Sequence, residues 1–484
     1  MMAHALTVPA RPAYRAASPK AGTKSTVHRA ALSLVWLTVA SSSIVFSEPA
    51  AVDLLTFGLF VLLPVAGLFD AKPMAAALFA VLLAISALSF LAATFALNLP
   101  VALTHAGVSL YLYGAAFLFA GFVAKRPLPH ARLILNAYLA AAIIAASLGI
   151  AGYLDLFPGA YDLFTRYDRA SGPFKDPNVF GPFLIPALLT ALHIWLTQPL
   201  SRGVLPLVLA GVLSAGILLS FSRGAWAGAA IAFAIYAYFY SLGANRNLER
   251  FKLALLVIAG TAAIALIVAV ALQSENVNRL LSERAALTQP YDEGPEGRFG
   301  GQLKAIATIL DNPLGIGGLQ FAPFIHHEEP HNVYLNMTMS TGWAGGLLYM
   351  ALCAAILAAG FRHALKKTRS RGLFLIVYGS LAATILQGLL IDSDHWRHFY
   401  LLLGLATGLM AGDSREVRTA RIVADRRPVL RKKVLLIPPA RRQGRIVARL
   451  PQRMTLGYPV NPLQLPPDRR RSPRRRHPRI LTAM

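Results

Sequence analysis

Apolar runs of about twenty residues alternate with short polar breaks along most of this chain. Twelve can be read: 30–46, 51–69, 74–97, 101–124, 131–153, 178–197, 203–219, 224–241, 251–272, 342–361, 372–391 and 398–411. The runs are continuous and do not alternate, so each predicts a membrane-crossing helix and none predicts a barrel strand. One segment breaks the rhythm. From Gln273 to Thr341 the chain stays polar, opening with Glu275, Arg279, Glu283 and Arg284. It passes a Gly-rich turn (Gly294 to Gly301), an apolar-periodic piece (Gln302 to Leu310) and a second turn (Asn312 to Gly318), and closes on His326-His-Glu-Glu-Pro-His-Asn332. Connections are usually a handful of residues, so a loop this long is expected to bind or react.

The fold class expected is therefore all-α: a polytopic membrane protein of about 12 transmembrane helices with one large outer loop. Composition agrees. Of 484 residues, 56% are hydrophobic and only 14% charged, where soluble domains carry roughly a quarter charged residues. A net charge of +25 would ordinarily suggest nucleic acid, but 20 of the 47 Lys and Arg lie after Ala411, outside the apolar runs. No nucleic-acid partner is expected. The single cysteine, Cys353, excludes an intrachain disulfide and any multi-cysteine metal site. Three regions follow: a basic cytoplasmic segment (1–29), a membrane domain (30–411, with 273–341 as the large loop), and a basic tail (412–484). The tail's composition predicts disorder and attraction to anionic lipid, with partner binding as the alternative. The basic N-terminus lacks a clean cleavage site and reads as the start of a retained span.

Basic residues orient the chain. With the N-terminus cytoplasmic, 18 of the Lys and Arg ahead of the tail fall on inner segments and 9 on outer ones, as the positive-inside rule requires. Both termini are then cytoplasmic. The unusual polar segments, 154–177, 220–223, 273–341 and 392–397, all fall on the outer side.

Those segments hold the candidate chemistry. Arg166, Arg169 and Lys175 precede Asp176-Pro-Asn178, where a helix begins. Arginine forks beside a helix N-terminus suit a phosphate or diphosphate, and interfacial anchoring through Asp162 and Asp168 is the plainer reading. Arg223, in Ser220-Phe-Ser-Arg-Gly224, lies between two spans, where a cation needs a partner or a water-filled cavity. His331 can accept a proton near neutral pH. His326 and His327 raise a metal site with His331, but H-H-x3-H interrupted by Pro330 is poor zinc spacing. Asp392-Ser-Asp394 is either a metal–diphosphate ligand pair or a polar lining that pairs with Arg397.

Four stretches in one order resemble the O-antigen ligase/polysaccharide polymerase family: Arg169-Ala-Ser-Gly-Pro-Phe-Lys-Asp-Pro-Asn178; Ser220-Phe-Ser-Arg-Gly-Ala225; Arg298 to Gly318; and His331-Asn-Val-Tyr-Leu followed by Gly342-Trp-Ala-Gly345. The similarity covers about residues 160 to 350. It implies a helical membrane fold with a large periplasmic loop in a bacterial inner membrane. It also implies glycan transfer from an undecaprenyl-diphosphate donor to a lipid or glycan acceptor, without a metal or other cofactor. His331 lies eleven residues ahead of Gly342, close to the ten of the ligase branch, whereas Ala227 stands where an Arg-x3-Leu pattern would place leucine after Arg223. From the chemistry of these residues, with the resemblance beside it, His331, Arg223 and Arg169 are expected to be catalytic, and Arg166, Lys175, Asn178, Arg298 and Asn332 substrate-binding. A transporter or flippase of lipid-linked sugars is the competing class, and a scaffold acting through the tail is a third.

Overall fold

The structure, a computed structural model, describes residues 21–244, 247–271 and 294–414. The basic residues ahead of position 21, the charged opening of the long loop from Glu275 to Arg284, and the tail after 414 lie outside the described residues. Helices run in order as α1 (Ala21–Ala40), α2 (Ala51–Val65), α3 (Pro73–Ala93), α4 (Leu99–Lys125), α5 (Pro127–Tyr153), α6 (Ala160–Phe164), α7 (Pro177–Thr197), α8 (Val204–Leu219), α9 (Arg223–Gly243), α10 (Asn247–Ala271), α11 (Arg298–Asp311), α12 (Phe321–Phe324), α13 (Val333–Ala364), α14 (Arg371–Gln387) and α15 (397–414). Six of them (α3, α4, α5, α7, α9 and α13) are long and apolar enough to cross a membrane, and α2, α8 and α14 are shorter apolar helices. Sheet is confined, among the described residues, to a hairpin of β1 (Thr165–Arg166) and β2 (Arg169–Ala170). Its turn residues Tyr167 and Asp168 both have positive φ, as a tight two-residue hairpin demands.

Local chemistry sets the helix starts. Proline occupies the first turn of α3, α5 and α7, where its missing N–H has no intrahelical partner to lose. Side-chain caps start four helices, α7 among them: Asn98 accepts from Val101, Asp176 from Asn178, Ser222 from Ala225, and Asn332 from Tyr334 and Leu335. The Asn332 cap starts α13 nine residues ahead of the apolar run at 342–361. At the far end, α15 continues past 411 to 414, where the buried Asp413 accepts from Ser370 and lies 3.1 Å from His363 Nε2.

Helix α13 is broken at Gly342, whose φ of 73° and ψ of 177° are not helical. The break frees backbone groups, and the turn after α11 takes them up. Ile316 N donates to Met339 O at 2.8 Å, and Trp343 N donates to Pro313 O at 2.9 Å. Trp343 Nε1 also reaches Ile309 O at 2.7 Å. A small apolar cluster of Ala305, Phe321 and Met339, with Ile309, Ile316 and Leu335 against it, seals the contact. Gln320 accepts from Asn98 N at 2.8 Å and ties the same stretch to the start of α4. The described part of the long loop is thus docked on the bundle.

Gly342→Ala tests this docking. A Cβ there would sit 2.7 Å from Pro313 O at a positive φ, a strain of roughly 1–3 kcal/mol before the clash is counted. The variant's melting temperature in detergent is expected to fall by several degrees. An unchanged value would mean that the 312–318 turn does not bind at the break.

Candidate functional site

Helix starts and ends meet at one end of the bundle. A Cβ on Gly181 would touch Ala225 Cβ and Ser220 Oγ, so the first turns of α7 and α9 are adjacent. Gly224 packs on Gln387 at the end of α14. The next residue, Gly388, accepts from Val333 N at 2.8 Å, bringing the start of α13 alongside. Beside the start of α7 and the His331 segment, and against α1, α2, α4 and α15, lies a cavity of about 400 Å³, which no residue of α9 or α14 lines. Its walls are largely apolar, including Val39, Leu112, Phe119, Phe183 and Leu401. Glu48, Lys175, Asn178, His331, Asp392, His395 and Arg397 are among its polar lining residues.

His331 is held from its backbone outward. Its φ of 49° is left-handed, and the Asp392 carboxylate fixes that conformation by accepting His331 N at 3.0 Å and Asn332 N at 3.1 Å. Arg298 Nη2 donates to His331 O at 3.4 Å and to Leu390 O at 2.6 Å, stitching the two segments together again. The ring's Nε2 is 3.3 Å from Glu328 Oε2, and Nδ1 is 3.8 Å from Asp392 Oδ2. If Nε2 carries the proton and donates to Glu328, Nδ1 is left with the lone pair of a general base.

The two aspartates of the last loop have separated roles. Burial pushes Asp392 up to about 8, with Asp394 and Glu329 adding to the rise against the two backbone donors. For Asp394, burial raises the pKa, but the His105 hydrogen bond and the charge of His395 outweigh it and hold the carboxyl down at about 2. Neither pairs with Arg397, contrary to the polar-lining expectation. Arg397 instead donates Nε and Nη2 to Asp53, both at 2.8 Å, because the backbone amides and His105 already engage the other two carboxylates. A fork–fork pair between α2 and α15 went unread in the sequence. Its only trace was one Asp inside the 51–69 run and one Arg at the edge of 398–411, buried ionisable groups of the kind that need each other in a membrane.

The other expected residues divide. Lys175 and Asn178 share the cavity with His331. Arg169 is buried just behind it, donating Nη2 to Asn178 Oδ1 at 2.8 Å and Nε to Ser220 O at 2.7 Å. Arg298 stands behind His331, and Arg223 opens α9 three residues beyond Ser220. Arg166 is exposed on the hairpin and is not part of the lining. Asn332 lies beside the catalytic candidate, but its side chain caps α13 and donates to Leu389 O.

Among the described residues, two clusters have metal-ligand chemistry: His105 with Asp394 and His395, and Glu296 with His326 and His327. The H-H-x3-H reading thus acquires Glu296 in place of His331. Lys304 already sits in that cluster, 2.8 Å from Glu296 Oε1 and 3.5 Å from His326 Nδ1. In the first cluster the rings of His105 and His395 stack at 4.1 Å, so their in-plane lone pairs do not converge on one ion.

The Asp392 shift carries a sign. A carboxyl raised in the folded state favours its protonated form. Its contribution to stability is therefore complete below the ordinary value of 3.8 and lost as pH rises through about 8. Between pH 5 and 8 the melting temperature of the native protein is expected to fall more steeply than that of Asp392→Asn. Parallel curves would mean that Asp392 is already ionised at pH 5.

No curated protein matches the chain at a significant level. Residues 205–350, from α8 into the second half of α13, match the model of the O-antigen ligase family. The matched segment contains Arg223, Arg298, His331 and the helix break at Gly342. Over that segment, which is less than half of the chain, the protein is similar to the O-antigen ligase family, and six of its described helices are long and apolar enough to cross a membrane.

Proposed function

We propose that this protein transfers a glycan from an undecaprenyl-diphosphate donor to a lipid or sugar hydroxyl at the periplasmic face of a bacterial inner membrane. The chain crosses twelve times in this reading, with both termini cytoplasmic and the large loop periplasmic. The carrying observation is that His331, oriented by Asp392 and Glu328, shares one largely apolar cavity with the cations Lys175 and Arg397.

The acceptor oxygen attacks the anomeric carbon as the bond from that carbon to the phosphate oxygen breaks. The electron pair leaves with the diphosphate, and the acceptor's proton passes to His331. Attack opposite the leaving group inverts the configuration. Cationic side chains stabilise the charge that builds on the diphosphate. Lys175 lies in the cavity for this, Arg169 orients Asn178 on its wall, and Arg223 adds its charge from the start of α9. Arg298 positions His331 through its carbonyl, Asn332 starts α13 beside it, and Arg166 meets the glycan further out on the hairpin. The apolar walls suit the first isoprene units. Charge stabilisation by arginine and lysine makes the transfer independent of a metal, and the separate engagements of Asp392 and Asp394 favour that reading over a shared Asp-x-Asp ion.

Purified protein, given an undecaprenyl-diphosphate glycan and candidate acceptors in chelator, is expected to yield product sized on a gel. One added unit marks a ligase and a ladder a polymerase. His331→Ala should lower the rate by about 10²- to 10⁴-fold with insertion intact. Near-normal product from that variant would remove the base assignment. Arg223→Lys keeps the charge and loses the fork, and a loss of about tenfold or more is expected. Full activity there would reduce Arg223 to an anchor.

A further inference from the structure

Among the cavity's charged groups, Glu48 has no role in the transfer. It lies between α1 and α2, and one oxygen, Oε1, stands 3.6 Å from Lys175 Nζ and 3.9 Å from Arg397 Nη1. All three side chains line the cavity. The two cations differ in how they are held. Arg397 is fixed by Asp53 through Nε and Nη2, which leaves Nη1 turned to Glu48. Lys175 has Glu48 as its one ion-pair partner among the described residues. The backbone brings these groups together independently of their charges, since Val45 N donates to Pro173 O at 3.1 Å.

A carboxylate shared by two cations, at the edge of a cavity that also holds a candidate general base, has the charge and reach of a phosphate oxygen. Its contacts are long, and more than half of the Glu48 and Lys175 side chains is exposed (58% and 53%). Such pairs hold weakly and exchange readily. The pair of Arg397 with Asp53, short and mostly buried, does not exchange in the same way. We infer that Glu48 is an internal stand-in for the donor's diphosphate: it pairs Lys175 and Arg397 in the empty site and is displaced from them when a phosphorylated lipid enters.

The inference rests on the proposed donor class. Arg397 joins Lys175 as a diphosphate-binding residue, pre-oriented by Asp53. Glu48 becomes a filter: a diphosphate gains two cations by displacing it, whereas a neutral polyprenol gains nothing. Leaving Glu48 in place beside an incoming diphosphate would set like charges together, which is unfavourable.

Calorimetric titration of detergent-purified protein with undecaprenyl diphosphate and with uncharged undecaprenol tests this. Removing an exposed competing ion pair corresponds to roughly two- to five-fold in affinity. Glu48→Gln is therefore expected to bind undecaprenyl diphosphate two- to five-fold more tightly, with undecaprenol binding unchanged. Unchanged or weaker diphosphate binding by the variant would overturn the inference, because Glu48 would then be neutral or helpful to the site. A parallel change for both lipids would also overturn it, since that reports a change of cavity shape. If the native protein binds the diphosphate no better than undecaprenol, the donor assignment itself falls, and the role of Glu48 with it.

Discussion

A backbone amide inside a helical membrane bundle has no water to turn to, so every break in a helix must find its partners within the protein. Most of the site follows from that constraint. Helix α13 begins and breaks within ten residues, at Asn332 and at Gly342, and both interruptions are answered by neighbouring segments. The turn at 313–316 satisfies the break. Asp392 satisfies the two amides just ahead of the helix. Without these acceptors the His331 segment could not hold its left-handed backbone, and the imidazole would have no fixed place.

The same constraint explains how the arginines are used. Arg169 and Arg298 each donate to backbone carbonyls at loop ends, Ser220 and Leu390. Each places a positive charge behind a residue that lines the cavity, Asn178 or His331, while closing a gap in the backbone. Structural and electrostatic roles therefore coincide in one side chain, and a loss of activity on substituting either would not by itself separate them. Arg397 differs, because its partner is a carboxylate on another helix. It is oriented by a charge pair and keeps one nitrogen, Nη1, on the side of Glu48.

Separation of the aspartates has a chemical consequence. Two carboxylates two residues apart invite a shared cation, and here they turn to different neighbours. Asp392 faces amides and is driven towards its neutral form by burial, while Asp394 faces imidazoles and stays ionised. The loop that carries them is consequently fastened to α4 through His105 and Ser109 and to α13 through the backbone.

By itself the sequence determined that the elements are apolar helices. Continuous apolar runs specify helices because an unpaired backbone is so costly in lipid, and local residue types announce the helix start at 176–178, whereas the start of α13 at Val333 and its break at Gly342 lie outside what the apolar runs marked. It also singled out Lys175, Asn178 and His331, polar residues crowded into segments that had no need of them for turning. What it could not determine was partnership. Apolar periodicity says that a residue faces protein, not which helix it meets, and membrane spans with apolar residues all round carry little facing information. Only tertiary packing joined Arg397 to Asp53 across 344 positions, left Arg166 out on a hairpin, and gave Asn332 to a helix cap. Packing also set Glu48 between two cations. Those assignments depend on which helix ends converge at one cavity, a property of the whole bundle that no single stretch of residues encodes.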